Sequence, residues 1–372
     1  MSSDGVIFFL NHRFNQIHRW DVARQISLSN LLGTHTTSTM SVDPDGTTVY
    51  LAYELGRIDQ FLIKARTHTR KFFAATRGLP QSLFAIDSYL FAIDQSDAGY
   101  RYSLFRRGTR RVVASADERP AARSIAWASG MERLYLLGHG ASSADVHYVD
   151  IDTRTGALGQ LHDSSHHDED FVSKPIRVLP DESRVVVGSG SFFDSSDLSY
   201  VTSFGFSFHD IAFHDGLYYL ALQMGQMGQL TQIKVLDSDF YEVCYVDLLA
   251  GGPQALFVFE NELVAVTTGL TTTSTRVHVL PLDSLCTEPP STSSSKANTT
   301  PESLWCRKCD GVCQGTVVSG SSLRTNRKME LFTARRWLYR VMSCRVRACA
   351  FGHALYVGPT YINEKFPHIC RS

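Results

Sequence analysis

Cysteine is almost missing from the first three-quarters of this 372-residue chain. Cys244 stands alone there, and the other seven (Cys286, Cys306, Cys309, Cys313, Cys344, Cys349, Cys370) fall in the last quarter. The C-terminal part therefore obeys different rules from the rest. Net charge is also lacking, at -1 at pH 7. A general affinity for nucleic acid needs a basic field, so none is expected. No apolar run approaches the roughly 20 residues of a membrane helix, which excludes helical membrane insertion. The N-terminus offers only Val6-Ile7-Phe8-Phe9-Leu10. That is shorter than the roughly 7–15 residues of a signal-peptide core, and no cationic stretch precedes it. The expectation is either a cytoplasmic chain or one whose leader is missing.

Catalytic signatures are absent as well. There is no Gly-x-Ser-x-Gly elbow, no phosphate-binding loop, no dinucleotide fingerprint and no His-Glu-x-x-His. No segment before Cys286 holds a 3.6-residue apolar period, which excludes long helices. What is present is globular composition, 43% apolar and 20% charged.

It is arranged as a repeat built on Ser41–Ala52, a short strand, a tight turn and an apolar strand. Degraded copies follow: Gln81-Ser-Leu-Phe with Tyr89-Leu90-Phe91, Ser124-Ile-Ala-Trp with Leu134-Tyr135-Leu136, and Arg177-Val-Leu-Pro with Val185-Val186-Val187. Then come Asp210-Ile-Ala-Phe with Leu217-Tyr218-Tyr219, and Gln254-Ala-Leu-Phe with Leu263-Val264-Ala265. The step from Val42 through Leu83, Ala126, Val178 and Ala212 to Leu256 is roughly 34 to 52 residues, bracketing a propeller blade. The turns are Asp-Gly, Ser-Gly or Glu-Asn, residues that tolerate positive φ in hairpins.

A third strand follows most copies, as in Arg57-Ile-Asp-Gln-Phe and Val146-His-Tyr-Val-Asp-Ile-Asp. The N-terminus opens directly on a second strand, Val6–Leu10, and a third, Gln16–Asp21. Second strands therefore number seven. The reading is all-β: a seven-bladed β-propeller of four-stranded antiparallel blades over residues 1–283, most simply a monomer. A pair of β-sandwiches is the alternative. A strand from the far end is expected to complete the first blade and remove its exposed edge.

The unit Val42-Asp-Pro-Asp-Gly-Thr-Thr-Val-Tyr-Leu-Ala resembles the β-propeller repeats of the YVTN and lactonase-like group, which are WD40-like in architecture. The stretch from Asp145-Val-His-Tyr-Val-Asp-Ile-Asp to Val187-Gly-Ser-Gly-Ser-Phe-Phe-Asp is similar to bacterial propeller proteins of unassigned activity. The resemblance spans about residues 5–283. It implies a seven-bladed ring, often a secreted or cell-surface module. It carries little about function, because propellers host many unrelated activities.

The remaining chain reads as a Ser/Thr/Pro-rich linker or insertion at 284–305 and an irregular, basic, cysteine-containing tail at 306–372. Arg347-Ala-Cys-Ala-Phe-Gly-His-Ala-Leu-Tyr-Val echoes the blade unit, so residues 347–358 are the expected closing strand, with the start of an eighth blade as the alternative. Cys306, Cys309 and Cys313 have a spacing at which thiolates can share zinc. Disulfides or free thiols fit it too.

Two further places offer chemistry. His162-Asp-Ser-Ser-His166-His167-Asp168-Glu169-Asp170 is a His/acid cluster that could hold a divalent ion, or a solvated loop. The leading ends of the innermost strands bring Gln81, Arg123, Arg177, Asp210 and Gln254, with His209 adjacent, to one channel mouth. They form a ligand site or simply cap the channel. Trp20 and Trp127 read as core, and Gly138, Gly188 and Gly190 as turn glycines. The functional expectation is a non-enzymatic propeller that binds a protein or glycan on one face. The alternative is a metal-dependent lactonase-like hydrolase with a divalent cation on Asp210 and His209 at the channel mouth.

Overall fold

The computed structural model describes residues 1–286, apart from segments 64–67, 97–98, 139–144, 166–173, 226–229, 249–250 and 269–274. The expectations for Cys306, Cys309 and Cys313 and for closure by 347–358 lie outside the described residues.

Seven antiparallel sheets follow one another along the chain. Blade 1 has β1 (Val6–Asn11), β2 (Gln16–Asp21) and β3 (Ile26–Leu32). Blade 2 has β4 (Thr37–Val42), β5 (Thr48–Tyr53), β6 (Arg57–Ile63) and β7 (His68–Ala75). Blade 3 has β8 (Leu79–Ile86), β9 (Tyr89–Ser96), β10 (Gly99–Arg106) and β11 (Arg111–Arg119). Blade 4 has β12 (Ala122–Ala128), β13 (Arg133–Gly138), β14 (Val146–Asp152) and β15 (Ala157–Asp163). Blade 5 has β16 (Ile176–Val178), β17 (Arg184–Val187), β18 (Ser191–Asp194) and β19 (Tyr200–Ser203). Blade 6 has β20 (Asp210–His214), β21 (Leu217–Met224), β22 (Leu230–Leu236) and β23 (Glu242–Leu248). Blade 7 has β24 (Pro253–Phe259), β25 (Glu262–Thr268) and β26 (Thr275–Pro281), then one helical turn, α1 (Leu282–Leu285).

The second strand of each blade explains the ring. Side chains alternate between the two sheet faces, and here both faces are apolar. In β9, Tyr89, Phe91 and Ile93 pack toward blade 4, while Leu90 and Ala92 pack toward blade 2. In β13, Leu134 and Leu136 face blade 3, and Tyr135 and Leu137 face blade 5. Every blade is thus sandwiched between two others. Separate cores fill the interfaces between blades 1 and 2, 2 and 3, 3 and 4, 4 and 5, 5 and 6, and 6 and 7. A seventh joins Ile7 and Val22 of the first blade to Val264 and Val266 of the last. Seven cores between seven sheets make a closed ring, a seven-bladed β-propeller.

Blades 1 and 7 show three strands each among the described residues. What joins them there is side-chain packing, with Trp20 and Phe257 adding to it. Trp127 likewise packs in the core between blades 3 and 4.

The first strands of adjacent blades contact one another and line the axis. Their inner edges have no sheet neighbour, so their polar groups need other partners. Side chains of the neighbouring blade supply them. Ser41 Oγ accepts from Ala85 N at 2.9 Å, and Ser124 Oγ accepts from Ile176 N at 3.1 Å. Ser82 Oγ donates to Ala122 O at 2.9 Å. The outermost strands are wet on both faces for most of their length, as in β7, where only Phe73 and Ala74 are buried.

The near-identical text Pro80-Gln81-Ser82-Leu83-Phe84 and Pro253-Gln254-Ala255-Leu256-Phe257 marks equivalent entries into blades 3 and 7. Both need a glycine two residues earlier. A Cβ on Gly78 would fall 1.9 Å from Gln95 O, and one on Gly251 would fall 1.3 Å from Thr268 O.

One covalent link falls where the sequence shows an isolated thiol. Cys244 on β23 is bonded to Cys286 just after α1, pinning the end of blade 7 to the outer strand of blade 6.

Candidate functional site

First strands start, and second strands end, on the same face of the ring. Gln81, Arg123, Arg177, Asp210 and Gln254 all lie in the first three residues of their strands, on that face. Among those whose side chains are described, the structure brings two together. Arg177 Nη2 lies 2.8 Å from Asp210 Oδ1, across the boundary between blades 5 and 6. Asp210 is 1% exposed. Its Oδ1 also accepts from Ile211 N at 3.0 Å, and its Oδ2 accepts from Leu256 N of blade 7 at 2.9 Å. Burial pushes its pKa up, and the Arg177 guanidinium opposes that shift. The carboxylate therefore ties three blades together, and both of its oxygens are engaged.

His209 is exposed and contributes its backbone N–H to Ala221 O at 2.8 Å. It does not join Asp210 in a grouping of metal-type ligands. Gln254 is exposed and donates to the carbonyl of its own neighbour, Pro253. Arg123 is placed in β12. Among the described side chains, the annular array thus holds one structural ion pair, with Gln81, His209 and Gln254 apart from it.

Gln81 belongs to something else. A cavity of about 340 Å³ opens on this face where blades 1, 2 and 3 meet. His12, Thr36, Thr37, Ser38, Glu54, Leu79, Pro80 and Gln81 line it. Local turns hold this wall in place. Asn15 adopts a φ of 53°, a left-handed conformation that asparagine tolerates. From there its side-chain oxygen accepts from Thr37 N at 3.1 Å, and its carbonyl accepts from Gly33 N at 2.8 Å. His12 Nδ1 meets Thr37 O at 2.9 Å, and Glu54 N donates to Thr36 O at 3.0 Å.

Two hydroxyls of this wall are unsatisfied. Thr37 Oγ1 and Ser38 Oγ are buried and have no hydrogen-bond partner among the described residues. Leaving such a group unpaired costs about 1–3 kcal/mol. Behind the opposite wall sits Asp94, the cross-strand partner of Pro80. It is wholly buried, and its Oδ2 accepts from Gly78 N at 2.8 Å. Burial raises its pKa, against the lowering effect of that backbone bond. The cavity thus combines a carboxylate, an imidazole and an amide with an apolar step at Leu79 and Pro80, and the Thr37 and Ser38 hydroxyls are enclosed behind its wall.

Of the His/acid stretch 162–170, His162 stacks on Tyr148 with ring centroids 4.5 Å apart. His166, His167, Asp168, Glu169 and Asp170 lie outside the described residues.

Fold and site together define a seven-bladed propeller with a polar cavity on one face. No family model matches the chain, and no curated protein matches it. Solved structures do. The hydrazine synthase of Kuenenia stuttgartiensis is similar with a TM-score of 0.56 and 14% identity, covering 76% of this chain and 94% of that one. The structure of U3-55K is similar with a TM-score of 0.54 and 14% identity, covering 75% of this chain and 92% of that one. Likeness at this identity speaks for the fold alone.

Sequence reasoning missed the cavity, apart from Gln81. Its other residues come from the second-to-third strand turns of blades 1 and 2 and from the starts of β4 and β8. Each segment is unremarkable alone, and only closure of the ring brings them together.

Proposed function

We propose that this propeller is a non-enzymatic binding module and that its cavity between blades 1, 2 and 3 takes a glycan. The observation that carries the reading is the convergence of Glu54, His12 and Gln81 with the apolar pair Leu79 and Pro80 in one cavity. A polyhydroxylated ligand supplies donors and acceptors to such groups, while Leu79 and Pro80 offer an apolar step for a sugar ring. A protein ligand on the same face is the other form of this reading, and an exposed polar side chain would then enter the cavity. The lactonase-like alternative places a cation on Asp210 and His209. Nothing in their geometry favours it, because the Asp210 oxygens are already engaged by Arg177 and two backbone N–H groups.

The test is a glycan array followed by calorimetry on the best binder. Glu54→Gln combined with Gln81→Ala is expected to weaken binding about tenfold or more, the worth of one or two hydrogen bonds to a charged group. A protein that retains no glycan, or one whose binding ignores both substitutions, contradicts the glycan reading.

A further inference from the structure

We propose that blade 4 carries a divalent transition-metal site made of Asp145, His147 and Asp163, on the same face as the cavity but on other residues. Each offers one ligand atom, and the three atoms lie within 4.8 Å of one another.

Strand geometry builds the grouping. His147 on β14 and Asp163 on β15 are direct cross-strand partners. His147 Nδ1 lies 3.0 Å from Asp163 Oδ1. Asp145 stands two residues before His147, and residues two apart in an extended chain share a side. The imidazole is held firmly, with only 7% of His147 exposed. Its other nitrogen, Nε2, is backed by Gly138, where an added Cβ would lie 2.9 Å away. Nδ1 is therefore the nitrogen presented to the carboxylates.

The spacing suits an ion. With bonds of roughly 2.1 Å, an octahedral cation holds adjacent ligand atoms roughly 3 Å apart and opposite ones roughly 4.2 Å apart. The His147–Asp163 separation already has the adjacent value, and Asp145 offers its ligand atom within 4.8 Å of both. One imidazole and two carboxylates favour ions of the manganese-to-zinc series over calcium or magnesium, which prefer oxygen ligands throughout. Three protein ligands leave coordination positions for water or a ligand.

The proposal stands whether or not the cavity takes a glycan. Its test uses Mn2+, which thiolates of the tail bind poorly, so the cysteines do not compete. The full chain is stripped with chelator and titrated with Mn2+, followed by calorimetry and by loss of the free-ion paramagnetic resonance signal. One ion per chain is expected. Both His147→Ala and Asp163→Asn should weaken it about tenfold or more, as changes around bound metals do. Asp163 has a side chain 52% exposed, so its variant keeps the test valid should His147→Ala not fold. Absence of stoichiometric Mn2+ binding overturns the proposal. So does binding that is unchanged in Asp163→Asn, because the ion would then sit on other ligands.

Discussion

The hydroxyl of Tyr135 in blade 4 donates to the carbonyl of Ser195 in blade 5 over 2.7 Å. Arg133 Nη1 reaches the same carbonyl at 2.7 Å, and its guanidinium lies 3.7 Å from the centroid of the Tyr148 ring. Tyr50 holds the equivalent place in blade 2, where its hydroxyl accepts from Arg107 Nε of blade 3 at 2.7 Å. Tyr50 and Tyr135 are thus latches between blades, each with its ring in the core and its hydroxyl on the next blade.

Tyr135→Phe keeps the ring and removes the latch. Because Arg133 still serves the Ser195 carbonyl, nothing is left unpaired, and the loss should be about 1 kcal/mol. Chemical unfolding reads it as a lower midpoint with an unchanged slope. A variant as stable as the parent would contradict the latch.

Asp210→Ala strips a partner from Arg177 and from the N–H groups of Ile211 and Leu256 at once. Breaking such a buried set costs on the order of 3 kcal/mol. Asp210→Asn retains an acceptor and should lose less. Equal losses in the two variants would mean that the charge, and not the backbone bonds, is what the ring needs.

Asp94 gives a pH dependence with a definite sign. Its folded pKa is raised from the ordinary 3.8 by burial. An acid raised on folding contributes stability that is full below its unfolded pKa and is lost as pH rises through the folded value. Asp94→Asn is neutral throughout and can still accept from Gly78 N. The variant should therefore gain on the parent as pH climbs from about 3.5 to 7. Parallel melting-temperature curves for the two proteins over that range would refute this.

The Cys244–Cys286 bridge spans a sequence separation of 42 residues. Closing a loop of that size in the unfolded chain stabilises by up to about 4 kcal/mol in the chain-entropy treatment. Cys244→Ser should lower the melting temperature by several degrees, and reductant should do the same to the parent. A non-reducing peptide map that pairs Cys244 with a different cysteine would remove the basis for the prediction.

Much of the ring was legible because its second strands are apolar on both faces. Val49-Tyr50-Leu51, Leu134-Tyr135-Leu136 and Leu263-Val264-Ala265 all became the middle of blades. The turn after each inner strand also marked that strand, so Gln81, Arg123, Arg177, Asp210 and Gln254 fall within the first three residues of theirs. The fourth strands were not read, since a strand such as Ile26–Leu32, with only Leu31 buried, carries little apolar signal. The bridge from Cys244 escaped notice because the return of the chain after α1 has no local signature. The His/acid stretch pointed at 162–170, yet Asp163 meets His147 and Asp145 through strand register, which spacing along the chain does not reveal.

A closed ring requires the first blade to lie against the last. Methyl-selective NOE spectroscopy tests this most directly, on protein labelled at isoleucine and valine methyls. The ring predicts strong cross-peaks from Ile7 to Val264 and Val266, which share one core. A spectrum in which Ile7 shows no contact with either valine, while contacts between the other blades persist, would contradict a closed ring.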